Sequence, residues 1–236
     1  MHHVQVTRNG ITVHIPIGLS MGGKEEMTDG GCQIMLQEDT RMMNEQILAM
    51  THFTKYICPS YERILHPFAG VGMMAQVIDK ACGNKSHMMW ERDPELVKYL
   101  REHGYGNVEL VEDSYTRLLD SALGVYDVIM YDQMLGTIKN PYIMEFWARA
   151  AKQRVPLVWM TDSAASKIWL HRSHYVKELG REVKDEVDYL RAYNDRLAYL
   201  GYVIAEAWME PSRMMFFAAV KEMNTEPFHM LQRLKP

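Results

Sequence analysis

The chain has 236 residues, of which 47% are hydrophobic and 24% are charged, and its formal net charge is −4. This composition supplies a sizeable core and excludes an intrinsically disordered chain. Lysine and arginine form no dense run, which argues against nucleic acid as the main partner. No signal peptide and no apolar span long enough for a membrane helix are visible, so we expect no membrane association and a cytoplasmic location.

The cysteines are odd in number and form no C-x-x-C pair. They are Cys32, Cys58 and Cys82. A disulfide framework and a structural zinc site normally show paired cysteines at characteristic spacings. We therefore predict three reduced thiols.

The N-terminal third predicts a β-hairpin followed by a helix. Apolar residues alternate over residues 4–17 around Asn9-Gly10, a dipeptide whose two positions adopt the positive φ of a tight hairpin turn. Residues 18–31 are glycine-rich and predict a loop, and residues 40–56 show helical spacing. We expect residues 1–58 to form an extension and residues 59–236 to form the main domain.

The most informative stretch has the order strand, glycine turn, helix, strand, acid. Arg63-Ile64-Leu65 is a short apolar run, and residues 66–72 contain two glycines. After a helical pattern, a second apolar run ends on Glu91. Glycines let the backbone turn tightly beside a ligand, and an acid about twenty residues later is placed to accept bonds from ribose hydroxyls. This layout predicts half of a nucleotide-binding α/β unit.

Further strands and helices alternate along the rest of the chain. Asp93 and Pro94 predict the N-cap and first residue of a helix. Three more strands are predicted at residues 108–111, 126–131 and 156–160, with helices at 115–123 and 141–153 between them. Parallel strands separated by helices predict a doubly wound, Rossmann-like α/β sheet.

The alternation of strands and helices stops after the fifth predicted strand. Residues 163–200 are charged and helical in pattern, and we interpret them as an insertion. We expect part of residues 165–188 to cover the acceptor pocket. Residues 202–208 and 214–220 are β-rich and are joined by five residues, too few for a parallel crossover, so they must pair antiparallel. The predicted sheet has seven strands, mostly parallel, with an antiparallel C-terminal pair.

Residues 62–221 resemble the class I S-adenosylmethionine-dependent methyltransferases. The run from Ile64 to Gly72, Ile-Leu-His-Pro-Phe-Ala-Gly-Val-Gly, is similar to the first motif of that family. His66 stands where the family usually has an acid near the ammonium group of the cofactor. The resemblance implies S-adenosylmethionine as cofactor and Asp132, in the fourth motif, as the catalytic residue. It implies a cofactor site formed by His66, Phe68, Gly70, Gly72, Glu91, Arg92, Asp113 and Ser114.

A second resemblance covers the N-terminal third. The hairpin region, Asp29-Gly30, Glu38-Asp39 and Met43-Asn44-Glu45 are similar to the entry of spermidine-synthase-type aminopropyltransferases, which use decarboxylated S-adenosylmethionine. The glycine-rich Gly-Gly-Gly-Asp-Gly-Gly loop of that family is missing. We therefore keep aminopropyl transfer as the alternative reaction.

Two other classes of function stay open. Gly70, Gly72 and Ala75 with Glu91 also match the pattern of a nicotinamide oxidoreductase, against which the antiparallel C-terminal pair counts. A non-catalytic binding protein on the same fold is the other alternative. The sequence does not identify the acceptor, for which we expect a small molecule or a protein. His171 and His174 lack a third ligand, so we interpret them as a surface pair and predict no metal site.

Overall fold

The structure is a computed structural model that describes residues 2–17, 41–132, 141–162, 185–209, 215–221 and 232–233. The predicted loop at 18–31, most of the proposed pocket cover at 165–188, and both His171 and His174 lie outside these residues. Of the predicted insertion, the structure describes one helix, Glu186–Ala198. No helix among the described residues is both long enough and apolar enough to cross a membrane.

The predicted N-terminal hairpin is confirmed. Strand β1 (His2–Arg8) pairs antiparallel with β2 (Ile11–Ile17). The two turn residues, Asn9 and Gly10, have φ values of 49° and 75°. These are the left-handed conformations for which Asn-Gly is selected in such turns.

The predicted mixed sheet is also confirmed. Its seven longer strands run in the spatial order β8-β9-β7-β6-β3-β4-β5, and a two-residue strand, β10, pairs with β8 at one edge. The strands β3 to β7 are parallel, whereas β9 is antiparallel to both β7 and β8. The strands are β3 (Arg63–His66), β4 (Ser86–Glu91), β5 (Val108–Leu110), β6 (Val128–Tyr131), β7 (Leu157–Asp162), β8 (Tyr202–Met209), β9 (Met215–Lys221) and β10 (Gln232–Arg233).

Six α-helices and one 3-10 turn are present in the described ranges. The helices are α1 (Arg41–Ile57), α2 (Met73–Cys82), α3 (Pro94–Glu102), α4 (Ser114–Asp120), α5 (Pro141–Lys152) and α6 (Glu186–Ala198), and the 3-10 turn is Leu123–Val125. Asp93 caps α3 as predicted, because its side chain accepts hydrogen bonds from the N–H groups of Glu95 and Leu96.

Two buried clusters cover the two faces of the sheet. Helices α1, α2 and α3 pack with the hairpin on the face that carries Ile64, and helices α4, α5 and α6 pack on the face that carries Leu65. Side chains alternate between the faces of a strand, so these neighbours in β3 contribute to opposite clusters. The strand is buried on both faces, which explains why it reads as a continuous apolar run.

The hairpin is fixed to the main sheet through α2. The side-chain amide of Gln76 donates to the backbone oxygen of His14 and accepts from its N–H, at 2.9 and 3.0 Å. Val13 and Ile15 are buried in the same cluster as Val77 of α2. The amide thus replaces a strand partner for one residue of β2.

The sixth strand begins later than predicted. It starts at Val128, whereas the apolar run predicted residues 126–131. The carboxylate of Asp127 accepts hydrogen bonds from the backbone N–H of Arg63 at 2.8 Å and from its guanidinium at 2.9 Å. This side chain therefore holds the start of β6 against the start of β3.

The prediction of three reduced thiols is wrong for two of the cysteines. Cys58 and Cys82 form a disulfide, with their Cα atoms 4.8 Å apart. Cys58 follows the last residue of α1 and Cys82 is the last residue of α2, so packing of the two helices brings these ends together. Twenty-four positions separate the cysteines, and this spacing carries no information about that packing.

We expect reduction of this disulfide to destabilise the protein by about 2–4 kcal/mol, because the reduced unfolded chain regains the freedom of the closed loop. Urea denaturation with and without dithiothreitol measures the change. The Cys58→Ser/Cys82→Ser double variant is the control, and the reductant should not alter its stability. Equal sensitivity of both proteins would contradict a stabilising role.

Candidate functional site

The predicted site residues meet at one edge of the sheet. The glycine loop (residues 66–72) begins at the last residue of β3, Glu91 ends β4, Asp113 follows β5, and Asp132 follows β6. These strands are parallel, so their carboxyl ends share an edge. The order of strands reverses between β3 and β6, and ligands bind at such switch points of open α/β sheets.

The glycine loop depends on left-handed backbone at both glycines. Gly70 and Gly72 have φ values of 54° and 71°. A Cβ atom at Gly72 would lie 2.9 Å from a methyl carbon of Leu100 and 3.1 Å from the ring of Tyr105, whereas none of the neighbouring atoms would lie within 4 Å of a Cβ at Gly70. Gly72 is therefore required by packing at the start of α2, and the Gly70 side of the loop has room beside it.

We expect Gly72→Ala to lower the free energy of unfolding by about 2–4 kcal/mol, because the clash adds to the strain of a left-handed alanine. Gly70→Ala is the matched control, since it carries only the backbone strain of about 1–2 kcal/mol. Urea denaturation of the two variants measures the difference. Equal destabilisation would show that the contact with Leu100 and Tyr105 relaxes without cost.

Glu91 holds the glycine loop to the end of β4. Its Oε2 accepts from the N–H of Gly70 at 2.8 Å, and its Oε1 accepts from the N–H groups of Arg92 and Asp93 at 2.8 and 3.1 Å. Only 8% of the residue is exposed. Burial raises the pKa of the carboxyl group, while the three N–H groups oppose that rise.

These contacts limit the number of hydrogen bonds that Glu91 can accept from a ligand. A carboxylate has about four acceptor positions, and three are used by the backbone. One position at Oε2 is left for an incoming donor. Arg92 contributes its backbone N–H to this arrangement and is itself exposed.

Asp113 is the N-cap of α4. Its Oδ1 accepts from the N–H groups of Tyr115 and Thr116, and its Oδ2 accepts from the Thr116 hydroxyl at 2.7 Å. The hydrogen bonds from Thr116 lower the pKa of this carboxyl group. Ser114, the first residue of the helix, is buried. Asp113 thus acts as a helix cap, and its contact with the cofactor stays a prediction.

An aromatic cluster lines the same edge, and the sequence singled out only one of its members. The Phe68 ring makes edge-on contacts with Tyr115 and Tyr131, both with centroids 5.2 Å apart. Tyr142 lies 5.8 Å from Tyr115 and is 53% exposed. Burial raises the pKa of the Tyr131 phenol, and the neighbouring Tyr115 adds to the rise. The cluster forms an uncharged wall between the glycine loop and the end of β6.

Asp132 is positioned by the neighbouring strand. The Thr161 hydroxyl, on β7, donates to Oδ1 of Asp132 at 2.6 Å. Thr161 is 1% exposed, whereas Asp132 is half-buried. A buried hydroxyl thus fixes the direction of a carboxylate beside the switch point. Residues 133–136, which follow Asp132 in the chain, lie outside the described residues.

The His66 side chain is buried and hydrogen-bonded to a second histidine. Its Nε2 lies 2.8 Å from Nδ1 of His87, and Nε2 of His87 lies 2.9 Å from Oδ1 of Asp79. His66 is 3% exposed, and burial, with a contribution from His87, lowers its pKa well below the ordinary range. Neither His87 nor Asp79 was singled out from the sequence, since no local pattern marks them. In the part of the chain that the structure describes, no group of His, Cys, Asp and Glu side chains is placed to hold a metal ion.

Three solved structures share the Rossmann-like fold of this chain. They are magnesium protoporphyrin IX methyltransferase (ChlM) from Synechocystis PCC 6803 with bound SAM (15% identity, TM-score 0.52, 79% of this chain and 83% of that chain), the mitomycin 7-O-methyltransferase MmcR (13%, 0.52, 82% and 58%) and the methyltransferase domain of bacterial CtHen1-C (9%, 0.53, 76% and 98%).

At these identities the likeness shows the fold. The chain spans 58% of the length of MmcR. No sequence model of a known family matches the chain, and no curated protein matches its sequence. These neighbours give no support to the resemblance to aminopropyltransferases, and residues 29–39, which carried part of it, lie outside the described residues.

Proposed function

We propose that the protein is an S-adenosylmethionine-dependent methyltransferase. The observation that carries this proposal is the bond from Gly70 to the buried carboxylate of Glu91, at the switch point of a methyltransferase-type sheet. This bond joins the glycine turn, which the first motif requires, to the acid that the ribose contact requires. The cofactor supplies an electrophilic methyl group when it is bound.

The residues present fit such a cofactor. The glycine loop has room beside Gly70, and Glu91 retains one acceptor position for a ribose hydroxyl. Phe68 is half-buried and presents an aromatic surface near both. We assign the methionine part of the cofactor to the glycine loop and the ribose to Glu91 and the backbone at Arg92. We assign the adenine to the start of α4, at Asp113 and Ser114.

Asp132 is the catalytic residue of the proposal. Transfer of a methyl group to an amine or hydroxyl requires the acceptor to be aligned and its proton to be removed. A carboxylate held by Thr161 offers an acceptor of fixed direction for that proton. The aromatic wall next to it favours an acceptor with an apolar or aromatic surface. A small molecule or a protein side chain meets both requirements.

The proposal is tested by calorimetric titration with S-adenosylmethionine, S-adenosylhomocysteine, decarboxylated S-adenosylmethionine and NAD. Binding of the first two in preference to the others supports methyl transfer. Preference for the decarboxylated form would favour aminopropyl transfer, and binding of NAD alone would favour an oxidoreductase. Binding of none of them would overturn the proposal.

A further inference from the structure

The disulfide between Cys58 and Cys82 closes a covalent ring that contains the glycine loop. The ring spans residues 58–82 and includes β3, the whole glycine loop and α2. It also joins the end of α1 to the end of the helix that begins directly after the glycine loop. The oxidation state of these two cysteines therefore decides whether the loop assigned to the cofactor lies in a closed ring or in an open chain.

Helix α2 connects the disulfide to the glycine loop. It has ten residues, with Gly72 as its N-cap and Cys82 as its last residue. A helix of this length is about 15 Å long and moves as a stiff body. The fit at its Gly72 end is tight, because a Cβ atom there would lie 2.9 Å from Leu100 and 3.1 Å from Tyr105. A change in the tilt of α2 at Cys82 thus alters the packing of the loop at Gly72.

Both oxidation states of the pair fit the structure. Cys58 and Cys82 are half-buried, so neither is sealed in the core. Access of this kind is what thiol–disulfide exchange requires. In the reduced state the Cys82 thiol has an acceptor for its S–H group, because the backbone oxygen of Thr54 lies 3.9 Å from the sulfur.

Noncovalent contacts hold the glycine loop in both oxidation states. The N–H of Gly70 donates to Glu91 at 2.8 Å, and the N–H of Ala69 donates to the backbone oxygen of Trp90 at 3.0 Å. These bonds come from β4, which lies outside the ring. Reduction therefore lowers the population of the loop conformation that binds a ligand, and it leaves the site folded.

We propose that Cys58 and Cys82 form a redox switch that sets ligand affinity at the glycine loop, high as the disulfide and low as the dithiol. The reductant is a small-molecule thiol. Two of its molecules are oxidised to their own disulfide, and their two electrons and two protons convert the protein disulfide into two cysteine thiols. The inference rests on the proposed function for its ligand alone.

Calorimetric titration with S-adenosylhomocysteine should show about five-fold weaker binding to the reduced protein, near the lower end of the range typical of coupling between two sites. A Cys32→Ser background leaves only this pair of cysteines, and circular dichroism checks that both forms are folded. The control adds Cys58→Ser and Cys82→Ser. Its affinity should equal that of the reduced protein and should not respond to dithiothreitol. Equal affinity in the two oxidation states would overturn the switch.

Thermodynamic linkage supplies a second test. If the disulfide form binds the ligand more tightly, a saturating concentration of ligand must shift the thiol–disulfide equilibrium of the pair towards the disulfide by the same factor. Mixtures of reduced and oxidised glutathione, quenched with acid and analysed by mass spectrometry, measure this equilibrium. A disulfide with a purely structural role would show no shift, and that result would contradict the proposal.

Hydrogen exchange tests the ring without a ligand. Residues 66–72 should exchange faster in the reduced protein at labelling times at which β6, a strand outside the ring, is protected in both forms. Acceleration of β6 to the same extent would assign the effect to global unfolding and overturn the switch, as would an unchanged loop. If neither form binds S-adenosylhomocysteine, the proposed function fails, and hydrogen exchange still decides the effect of the ring.

Discussion

Glu91→Gln should weaken binding of S-adenosylhomocysteine by about 2–3 kcal/mol, or roughly 30- to 150-fold. The substitution keeps the shape of the side chain and places an amide N–H₂ where one carboxylate oxygen now accepts. Either Gly70 or the pair Arg92 and Asp93 then faces a donor in place of an acceptor. The loop loses its attachment and the ribose loses its charged acceptor, so both effects act in the same direction.

Calorimetric titration measures the affinity, and urea denaturation shows how much of the loss comes from a destabilised fold. Glu109→Gln is the matched control, because Glu109 lies in the adjacent strand β5 and its carboxylate forms an exposed pair with Arg117 at 3.5 Å. That ion pair should contribute less than about 1 kcal/mol to the stability of the fold. An unchanged affinity in the Glu91 variant would remove Glu91 from the cofactor site.

Asp132→Asn should reduce turnover by about 10²- to 10⁴-fold, the range typical of a lost general base. The amide keeps the hydrogen bond from Thr161 and the shape of the side chain, while its capacity to accept a proton is lost. Cofactor affinity should stay the same, because Asp132 is assigned to the acceptor. The measurement is the initial rate of methyl transfer to an acceptor found by screening, together with a titration of the cofactor.

Thr161→Val is the variant to compare with Asp132→Asn. It removes the hydroxyl that orients Asp132 and retains the carboxylate, so we expect a smaller fall, about ten-fold, in the same rate. Thr161 is buried, and its stability effect is checked by thermal unfolding. Full turnover in Asp132→Asn would exclude this residue as the base, and loss of folding would assign it a structural role.

Local sequence was sufficient for the elements that build the site. Asn9-Gly10 predicted the hairpin turn, and Asp93-Pro94 predicted the start of α3, because each signal acts through the backbone of its own few residues. The short connection between the last two predicted strands forced an antiparallel pair on geometric grounds alone. The alternation of strands and helices then determined a parallel sheet whose carboxyl ends meet, which placed Glu91 near Gly70.

Side-chain partners on separate elements could not be predicted from the sequence. Glu91 accepts from three N–H groups, a role that its position at the end of a strand did not disclose. The aromatic wall combines Phe68 of the glycine loop with rings from β6 and α4. Ring contacts of this kind depend on the direction of each side chain after the sheet has formed.

The sequence by itself determined the sheet, the glycine turn and the edge of the sheet where the acids at the strand ends meet, since these follow from periodicity and backbone conformation. Only the tertiary structure decided the pairing of Cys58 with Cys82 and the bond between His66 and His87. Each pair joins residues more than twenty positions apart on separate elements. Such contacts are set by the packing of whole helices and strands, and no spacing rule within the chain encodes them.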